Sequence, residues 1–283
     1  MIRIFLGMLI AVVALFPLAC GSSSSSGSGD ALVAAQNGDF ETARSLWQPA
    51  AEAGDPEAQF NLAVLHKHGL GGPQDLAQAK SWFEQAAAQG HASAQYSLAG
   101  LYIEGVGIPQ DLAMGAYWLG RASVLGHTKA QNNLSLMFAQ GEGFPQDSDM
   151  SLRLLARAAN AGDPLAQHNL GQRYKHGSGL VASDLEAVAW LRLSAAQYHA
   201  DGLNALGEMS EMGRGVSQNL VAAYALYSVS LTQNSSEGAQ GNIAALENVL
   251  GMDEIEQASL LAERMLQSGN VLEALDAFTG SSF

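Results

Sequence analysis

The apolar positions of the chain recur at the three- and four-residue spacing of amphipathic helices, in short segments separated by glycine-rich turns. Leu62 and Leu65 lie on one face of such a segment, and Asp55 precedes it as an N-cap candidate. Gly69 ends this helix, because glycine tolerates the positive φ of a helix C-terminus. Asp75 is the cap candidate of a second helix. The apolar stripe of that second helix consists of Leu76, Ala79, Trp82, Phe83, Ala86 and Ala87.

The same marks return every 36 residues, which indicates an internal repeat. One hairpin of two short helices cannot bury its own apolar stripe, so successive copies must stack on each other. We therefore expect an all-α fold, a right-handed α/α solenoid of stacked helical hairpins, in which Trp82 and its equivalents fill the space between hairpins. The recurring positions are Gly54, Gly90, Gly126 and Gly162, with Tyr198 next in that series; Gly69, Gly105, Gly141, Gly177 and Gly213; and Trp82, Trp118, Leu154, Trp190 and Leu226.

The period divides the body of the chain into repeats and flanking caps. Five repeats of 36 residues occupy residues 54–233. We interpret residues 30–53 as an N-terminal capping hairpin that lacks the long loop, and residues 234–283 as C-terminal capping helices, with Asp253 as one cap candidate. Terminal pairs with a polar outer face close the hydrophobic ends of such arrays. The C-terminal helices are predicted at 239–250, 253–267 and 271–278.

The N-terminal segment differs in composition from the repeats. Arg3 precedes an uncharged apolar run of 16 residues. As a helix this run would measure about 24 Å, less than the roughly 30 Å of the hydrocarbon core of a bilayer. We therefore interpret residues 1–19 as a secretory signal peptide and the Ser- and Gly-rich residues 20–29 as a linker.

The junction between these two segments resembles a bacterial lipoprotein signal. The small residue Ala19 directly precedes Cys20 at the end of the apolar run. The resemblance implies cleavage before Cys20, acylation of its thiol and of the new amino group, and anchoring of the chain in the cell envelope. Gly21 follows the cysteine, which in such lipoproteins implies the outer membrane, with the chain facing the periplasm. The alternatives are an uncleaved N-terminal anchor and a cysteine that lies at a linker by chance.

Each repeat carries many marks of one motif. The first has Ala58-Gln59-Phe60-Asn61-Leu62-Ala63, Gly69-x-Gly71, Asp75, Ala79, Trp82 and Ala86-Ala87, and the fourth has Ala166-Gln167-His168-Asn169-Leu170-Gly171, Gly177-x-Gly179, Asp184, Ala187, Trp190 and Ala195. This pattern closely resembles the Sel1-like repeat, a relative of the tetratricopeptide repeat with a longer loop between its helices. The resemblance implies a solenoid that binds other proteins.

One position of the first helix is polar in four repeats, as Asn61, Ser97, Asn133 and Asn169. In tetratricopeptide relatives the equivalent Asn faces the concave groove and binds the backbone or terminal carboxylate of an extended peptide, so the resemblance implies a partner-binding role here. The alternative is a structural role in helix packing. Lys67 and Lys175 end the first helices instead of completing a carboxylate clamp.

Composition narrows the classes of partner. The 13 Lys and Arg residues face 27 Asp and Glu residues, a formal net charge of −14. This charge opposes binding to nucleic acid and favours a basic envelope peptide or protein as partner. A single Cys excludes an intrachain disulfide framework and a thiolate zinc site.

The sequence lacks the spaced motifs that carry catalysis or cofactor binding. It contains no Gly-x-Ser-x-Gly, His-Glu-x-x-His, phosphate-cradling Gly-x-x-x-x-Gly-Lys or Ser-x-x-Lys pattern. His91, His127 and His199 recur at the start of first helices, which favours capping over a metal site. We therefore expect no catalytic residue, no metal, no cofactor and no small-molecule substrate.

The sequence thus predicts a non-catalytic scaffold or adaptor of the cell envelope that binds a peptide or protein on its concave surface. Two alternatives stay open. One is a lipoprotein scaffold for exopolysaccharide synthesis or export, and the other is an enzyme acting on β-lactams or on the cell wall.

Overall fold

The computed structural model describes residues 26–233 and 237–280, and within these ranges the chain forms fifteen α-helices and no β-strand. The all-α prediction is therefore confirmed. The predicted signal peptide, Cys20 and the first part of the linker lie outside the described residues. The helices are α1 (Ser26–Gln36), α2 (Phe40–Glu52), α3 (Pro56–His68), α4 (Leu76–Ala88), α5 (Ala92–Glu104), α6 (Leu112–Val124), α7 (Thr128–Gln140), α8 (Ser148–Asn160), α9 (Pro164–His176), α10 (Asp184–Ala196), α11 (Ala200–Met212), α12 (Leu220–Gln233), α13 (Glu237–Glu247), α14 (Met252–Ser268) and α15 (Val271–Thr279).

The chain divides into two compact units, residues 1–146 and residues 147–283. Helices α1 to α7 belong to the first unit and helices α8 to α15 to the second. Within each unit, consecutive helices pack on each other as hairpins. Helices α3, α5, α7, α9 and α11 are the first helices of the repeats, and α4, α6, α8, α10 and α12 are the second helices.

The second helices begin at a polar side chain that caps their free backbone amides. Asp75 Oδ1 accepts a hydrogen bond of 3.0 Å from the backbone N–H of Gln78, which confirms the predicted cap. In the fourth repeat the cap is Ser183, whose hydroxyl oxygen accepts from the N–H of Glu186. The expected equivalent, Asp184, is instead the first residue of α10. The remaining caps of this kind are Asp39, Asp111, Asp147 and Asn219.

The first helices begin at Asp or His caps. His91 Nδ1 accepts a hydrogen bond of 3.1 Å from the backbone N–H of Ala94. His127 and His199 make the same contact, which confirms the prediction that these histidines cap helices. An imidazole that accepts a hydrogen bond through Nδ1 can donate one only through Nε2.

The Gly-x-Gly turns of four repeats lie close to the preceding hairpin. Gly69 ends α3 in the left-handed conformation, with φ of 65°. The second glycine, Gly71, lies so close to α2 that a Cβ atom would collide with the backbone carbonyl of Phe40, the first residue of that helix. The same close approach to a backbone carbonyl joins Gly143 to Leu112 and Gly215 to Asp184, and Gly107 lies equally close to the side chain of Leu76.

A buried glutamine ties each of the first four first helices to the second helix before it. Gln59 Nε2 donates a hydrogen bond of 3.1 Å to the backbone carbonyl of Ala51, near the C-terminus of α2. This bond satisfies one of the carbonyls that a helix end leaves free. Equivalent bonds join Gln95 to Ala87, Gln131 to Ser123 and Gln167 to Ala159.

The core lies one position after the predicted tryptophan series. Trp82 and Trp118 are only partly buried beside the core of the first unit, and Trp190 has the same place in the second. The expectation that the series fills the space between hairpins is therefore wrong for its three tryptophans, whereas Leu154 and Leu226 of the same series are buried. In every repeat the residue that follows this position is buried as well. Those following residues, all 2% exposed or less, are Phe83, Leu119, Leu155, Leu191 and Tyr227, with Trp47 as their counterpart in α2.

The two ends of the described part of the chain are helical, with shifts from the predicted bounds. Helix α1 begins at Ser26, so residues 26–29, predicted as linker, are helical. The three predicted C-terminal helices are present as α13, α14 and α15. Helix α14 begins at Met252, and its N-cap residue is Gly251 rather than Asp253, because Glu254 Oε2 accepts a hydrogen bond from the backbone N–H of Gly251 and stabilises the helix start there.

Across the described ranges, every helix is too short or too polar to cross a bilayer.

Candidate functional site

Two of the four residues predicted to bind a partner lie together. Ser97 and Asn133 line one cavity of about 230 Å³ in the first unit. Asn61 is buried, with 5% of its surface exposed, and Asn169 belongs to the second unit. The structure therefore makes a candidate site from Ser97 and Asn133 and leaves out Asn61 and Asn169.

The cavity is lined by three successive first helices and by one residue of a second helix. Helix α5 contributes most of the wall, and Gly100 opens it because the residue has no side chain. The lining residues are Lys67 of α3; Tyr96, Ser97, Gly100, Ile103 and Glu104 of α5; Leu119 of α6; and Asn133 of α7.

Tyr96 is held in a fixed orientation at this cavity. Its ring stacks on the ring of His127 at 4.6 Å between centroids, and His127 is itself fixed as the cap of α7. Asn133 Nδ2 donates a hydrogen bond of 3.4 Å to the Tyr96 hydroxyl oxygen. Because the Tyr96 oxygen accepts this bond, its own proton can be donated to a bound acceptor.

Lys67 supplies a cation to the cavity. It lies in the last turn of α3 and forms no ion pair with any acidic residue in the part of the chain that the structure describes. Lys67 ends α3, as the sequence indicates, and it also lines the same cavity as Ser97 and Asn133. Lys67 belongs to the repeat before the one that forms most of the cavity. The sequence period alone does not show that Lys67 lies beside this cavity.

In the second unit, the equivalent lysine forms an ion pair with an acidic residue of the same chain. Lys175 Nζ forms an ion pair of 2.6 Å with Glu208 Oε2, and only 8% of the Lys175 side chain is exposed. Asn204 Nδ2 donates a hydrogen bond of 3.0 Å to the other carboxylate oxygen of Glu208. Both oxygens of this carboxylate are thus held, so Lys175 is engaged where Lys67 is not.

The capping histidines stack on the ring of the preceding first helix. Phe60 stacks on His91 at 4.8 Å, and His168 lies 5.8 Å from His199, between ring centroids. Burial lowers the pKa of His168 and of His199 below the ordinary value, because it disfavours the charged imidazolium. Among the described residues, no three His, Cys, Asp or Glu side chains are placed to hold a metal ion.

Comparison with protein families identifies the repeat. The Sel1 repeat model matches residues 32–55, 56–91, 92–127, 128–163, 164–199 and 200–235. The chain belongs to the Sel1 repeat family. The Sel1 repeats 56–91 and 92–127 contain most of the cavity, and Asn133 comes from the next repeat. The match also includes residues 32–55, the segment interpreted above as a capping hairpin.

Solved Sel1 repeat structures share the fold. One is a protective antigen present in uropathogenic Escherichia coli strains, with a TM-score of 0.76 and 27% identity over 87% of this chain and 52% of that protein. Another is a Sel1 repeat protein from Oxalobacter formigenes, with a TM-score of 0.73 and 22% identity over 83% of this chain and 97% of that one. The chain thus spans about half the length of the E. coli protein. Comparison with curated proteins gives no match.

Proposed function

We propose that this Sel1 repeat protein is a non-catalytic scaffold of the cell envelope that binds a peptide segment of a partner protein at the cavity formed by Lys67, Tyr96, Ser97 and Asn133. The observation that carries this proposal is the convergence of Ser97 and Asn133 on one cavity beside Lys67, which forms no ion pair with the acidic residues that the structure describes. Sel1 repeat proteins generally mediate protein–protein interactions, which agrees with this role.

The chemistry of the cavity suits a peptide. The Ser97 hydroxyl, the Asn133 amide and the Tyr96 hydroxyl offer donors and acceptors of the kind that bind peptide groups. Leu119 and Ile103 add apolar surface beside them. The volume of about 230 Å³ lies below the roughly 300–1,000 Å³ of ordinary small-molecule sites, so a single side chain or chain end is the natural occupant.

The charge of the chain favours a partner that is basic overall. With a formal net charge of −14, the chain attracts basic surfaces over a distance of about one Debye length, roughly 8 Å at physiological salt. Such attraction raises the association rate more than it lengthens the life of the complex. We therefore expect partner capture to weaken as salt concentration rises.

We further propose that acylation of Cys20 anchors the scaffold in the outer membrane, facing the periplasm. The support is the small residue, the cysteine and the Ser- and Gly-rich stretch that follow the apolar run. Replacing Cys20→Ser should release the chain from the membrane fraction and remove the acyl mass from its N-terminus. Unchanged membrane association without an acyl mass in the wild type would contradict the anchor.

Photo-crosslinking in living cells tests the binding surface. A benzophenone amino acid placed at Ile103, within the cavity, should give a covalent adduct with a partner protein on illumination. The matched control places it at Leu125, which is 53% exposed at the end of α6 and outside the cavity. Adducts of equal yield at both positions, or none at Ile103, would contradict the proposed surface.

The non-catalytic part of the proposal has its own test. The purified chain should turn over neither a chromogenic β-lactam nor muropeptides faster than buffer alone. Turnover that one point substitution abolishes would show that the protein is an enzyme.

A further inference from the structure

The two lysines at the ends of first helices occupy equivalent positions in different surroundings. Lys67 and Lys175 are three periods of 36 residues apart. Lys175 pairs with Glu208, which follows it by 33 residues. The residue that follows Lys67 by the same 33 positions is Gly100. The first unit therefore has the lysine of this pair without the carboxylate.

In the second unit, Lys175 and Asn204 hold the carboxylate of Glu208. Glu208 Oε2 lies 2.6 Å from Lys175 Nζ, and Glu208 Oε1 accepts a hydrogen bond of 3.0 Å from Asn204 Nδ2. One oxygen thus contacts a cation and the other a neutral donor. Charge-assisted contacts of this kind are the stronger class of hydrogen bond in proteins.

The first unit offers the same two kinds of donor around an empty volume. Tyr96 stands at the position of Asn204, and its hydroxyl proton is available because Asn133 donates to its oxygen. A Cβ atom on Gly100 would meet no atom within 4 Å, and Gly100 lines the cavity together with Lys67 and Tyr96. The volume that the Glu208 side chain fills in the second unit is thus open at the equivalent place in the first unit.

We infer that this cavity binds a carboxylate of the partner peptide between Lys67 Nζ and the Tyr96 hydroxyl, in the place that Glu208 fills between Lys175 and Asn204. The inference rests on the proposed function and names the chemical group that the site takes. The carboxylate comes either from the C-terminus of the peptide or from an Asp or Glu side chain. The earlier expectation of a basic partner concerns its overall charge, and this carboxylate is one local group.

Glu104 adds a selective element to the cavity. Its exposed carboxylate lines the same wall and forms no ion pair with the described basic residues. It therefore repels a second negative charge and attracts a basic residue beside the bound carboxylate. A segment that carries a carboxylate next to Lys or Arg fits both Lys67 and Glu104.

Three short peptides test the carboxylate and its source. Acetyl-trialanine with a free C-terminus, its C-terminal amide, and acetyl-Ala-Asp-Ala amide are titrated into the ¹⁵N-labelled full chain. Binding is followed through the backbone amide signals of Ser97 and Gly100. At least one carboxylate peptide should bind about tenfold or more tightly than the trialanine amide, as loss of a charge-assisted contact implies. The peptide that binds identifies the source, and equal affinity for all three would overturn the inference.

Substitutions at the cavity test the donor and the open volume. Lys67→Met should weaken the preferred peptide about tenfold or more, while Lys129→Met, the same change at an exposed lysine outside the cavity, should leave affinity unchanged. Gly100→Glu places a carboxylate of the chain itself in the cavity and should abolish binding, whereas Gly100→Gln should retain more of it. Glu104→Gln should tighten binding of these test peptides, because they carry no basic residue that Glu104 could attract. Circular dichroism checks that each variant folds.

The failures of the two proposals can be told apart. If Lys67→Met has no effect on peptide affinity while crosslinking at Ile103 still captures a partner, the carboxylate inference is wrong and the proposed surface stands. If crosslinking at Ile103 fails while the carboxylate peptides shift Gly100, the cavity binds carboxylates but is not the partner surface. If both fail, both proposals are wrong.

Discussion

The hydroxyl of Tyr198 donates a hydrogen bond of 2.7 Å to the backbone carbonyl of Met265 in α14. Tyr198 occupies the place where the preceding repeats have glycine, and it adopts the left-handed conformation with φ of 57°. That conformation is strained for a residue with a side chain. The contact to α14 offsets the strain, so the break in the glycine series marks the position where a C-terminal cap helix packs on the repeats.

Tyr198→Phe tests this anchor. The change removes the bond to Met265 and should lower the free energy of unfolding by about 1 kcal/mol, measured by urea denaturation. Tyr174→Phe is the matched control, because the Tyr174 hydroxyl makes no hydrogen bond to any residue in the described ranges. Equal losses in the two variants would show that the bond to Met265 does not stabilise the cap.

The buried glutamines predict a stabilising substitution. Gln89 Nε2 donates a hydrogen bond of 2.9 Å to Gln59 Oε1, whereas the equivalent Gln95 Oε1 is buried without a hydrogen bond because Leu125 stands at the position of Gln89. Leu125→Gln should therefore raise the free energy of unfolding by about 1 kcal/mol. Leu125→Glu has the same shape but no donor. If the two variants are equally stable, the unpaired oxygen of Gln95 is not the cause.

The burial pattern predicts which aromatic residue of α4 carries more stability. Phe83 is fully buried, and Trp82 is only partly buried at the side of the core. Phe83→Ala should lower the free energy of unfolding by about 3–5 kcal/mol, and Trp82→Ala should cost less in spite of its larger ring. Thermal and urea unfolding of the two variants measure the order. A larger loss of unfolding free energy for Trp82→Ala than for Phe83→Ala would contradict this order and would show that Trp82 is the main core residue of α4.

Stability should fall in mildly acid solution because of the buried histidines. The pKa values of His168 and His199 are lowered mainly by burial, which outweighs the opposing effect of Asp201 on both. The unfolded chain therefore binds more protons than the folded chain below the ordinary value of about 6.5, and stability is lost as the pH falls through that value. Protonation of His199 also removes the Nδ1 acceptor that caps α11.

His199→Asn separates this effect from general acid sensitivity. Asparagine caps helices without titrating, so the variant should lose less stability than the wild type between about pH 7.5 and 5.5. Urea unfolding at each pH gives the two slopes. Identical slopes would show that His199 stays equally protonated in the folded and unfolded chains.

The features that could be predicted from the sequence are those that depend on a few neighbouring residues. The caps at Asp55 and Asp75 and the left-handed Gly69 depend on residues within one turn, so periodicity and residue type were enough to find them. The tryptophan series was misjudged because a one-residue step on a helix turns a side chain by about 100°, and the sequence does not show which of two adjacent apolar residues faces the neighbouring hairpin.

The candidate site could be predicted only in part. Ser97 and Asn133 follow from the repeat period, since equivalent residues of stacked helices lie close together. The participation of Lys67 could not be predicted from the sequence, because the repeat period does not show that the end of α3 borders the same cavity as α5. One signal was nevertheless present in the sequence: Gly100 stands where Glu208 stands three repeats later, beside an equivalent lysine.

The affinity of the crosslinked partner for chains altered at the cavity tests the central claim most directly. The double variant Ser97→Ala, Asn133→Ala should bind the purified partner about tenfold or more weakly than the wild type, with unchanged helicity. The double variant Ser81→Ala, Gln85→Ala, which alters two exposed polar residues of α4, should bind as the wild type does. Equal affinity of the Ser97 and Asn133 double variant and the wild type would contradict the assignment of this cavity as the binding surface.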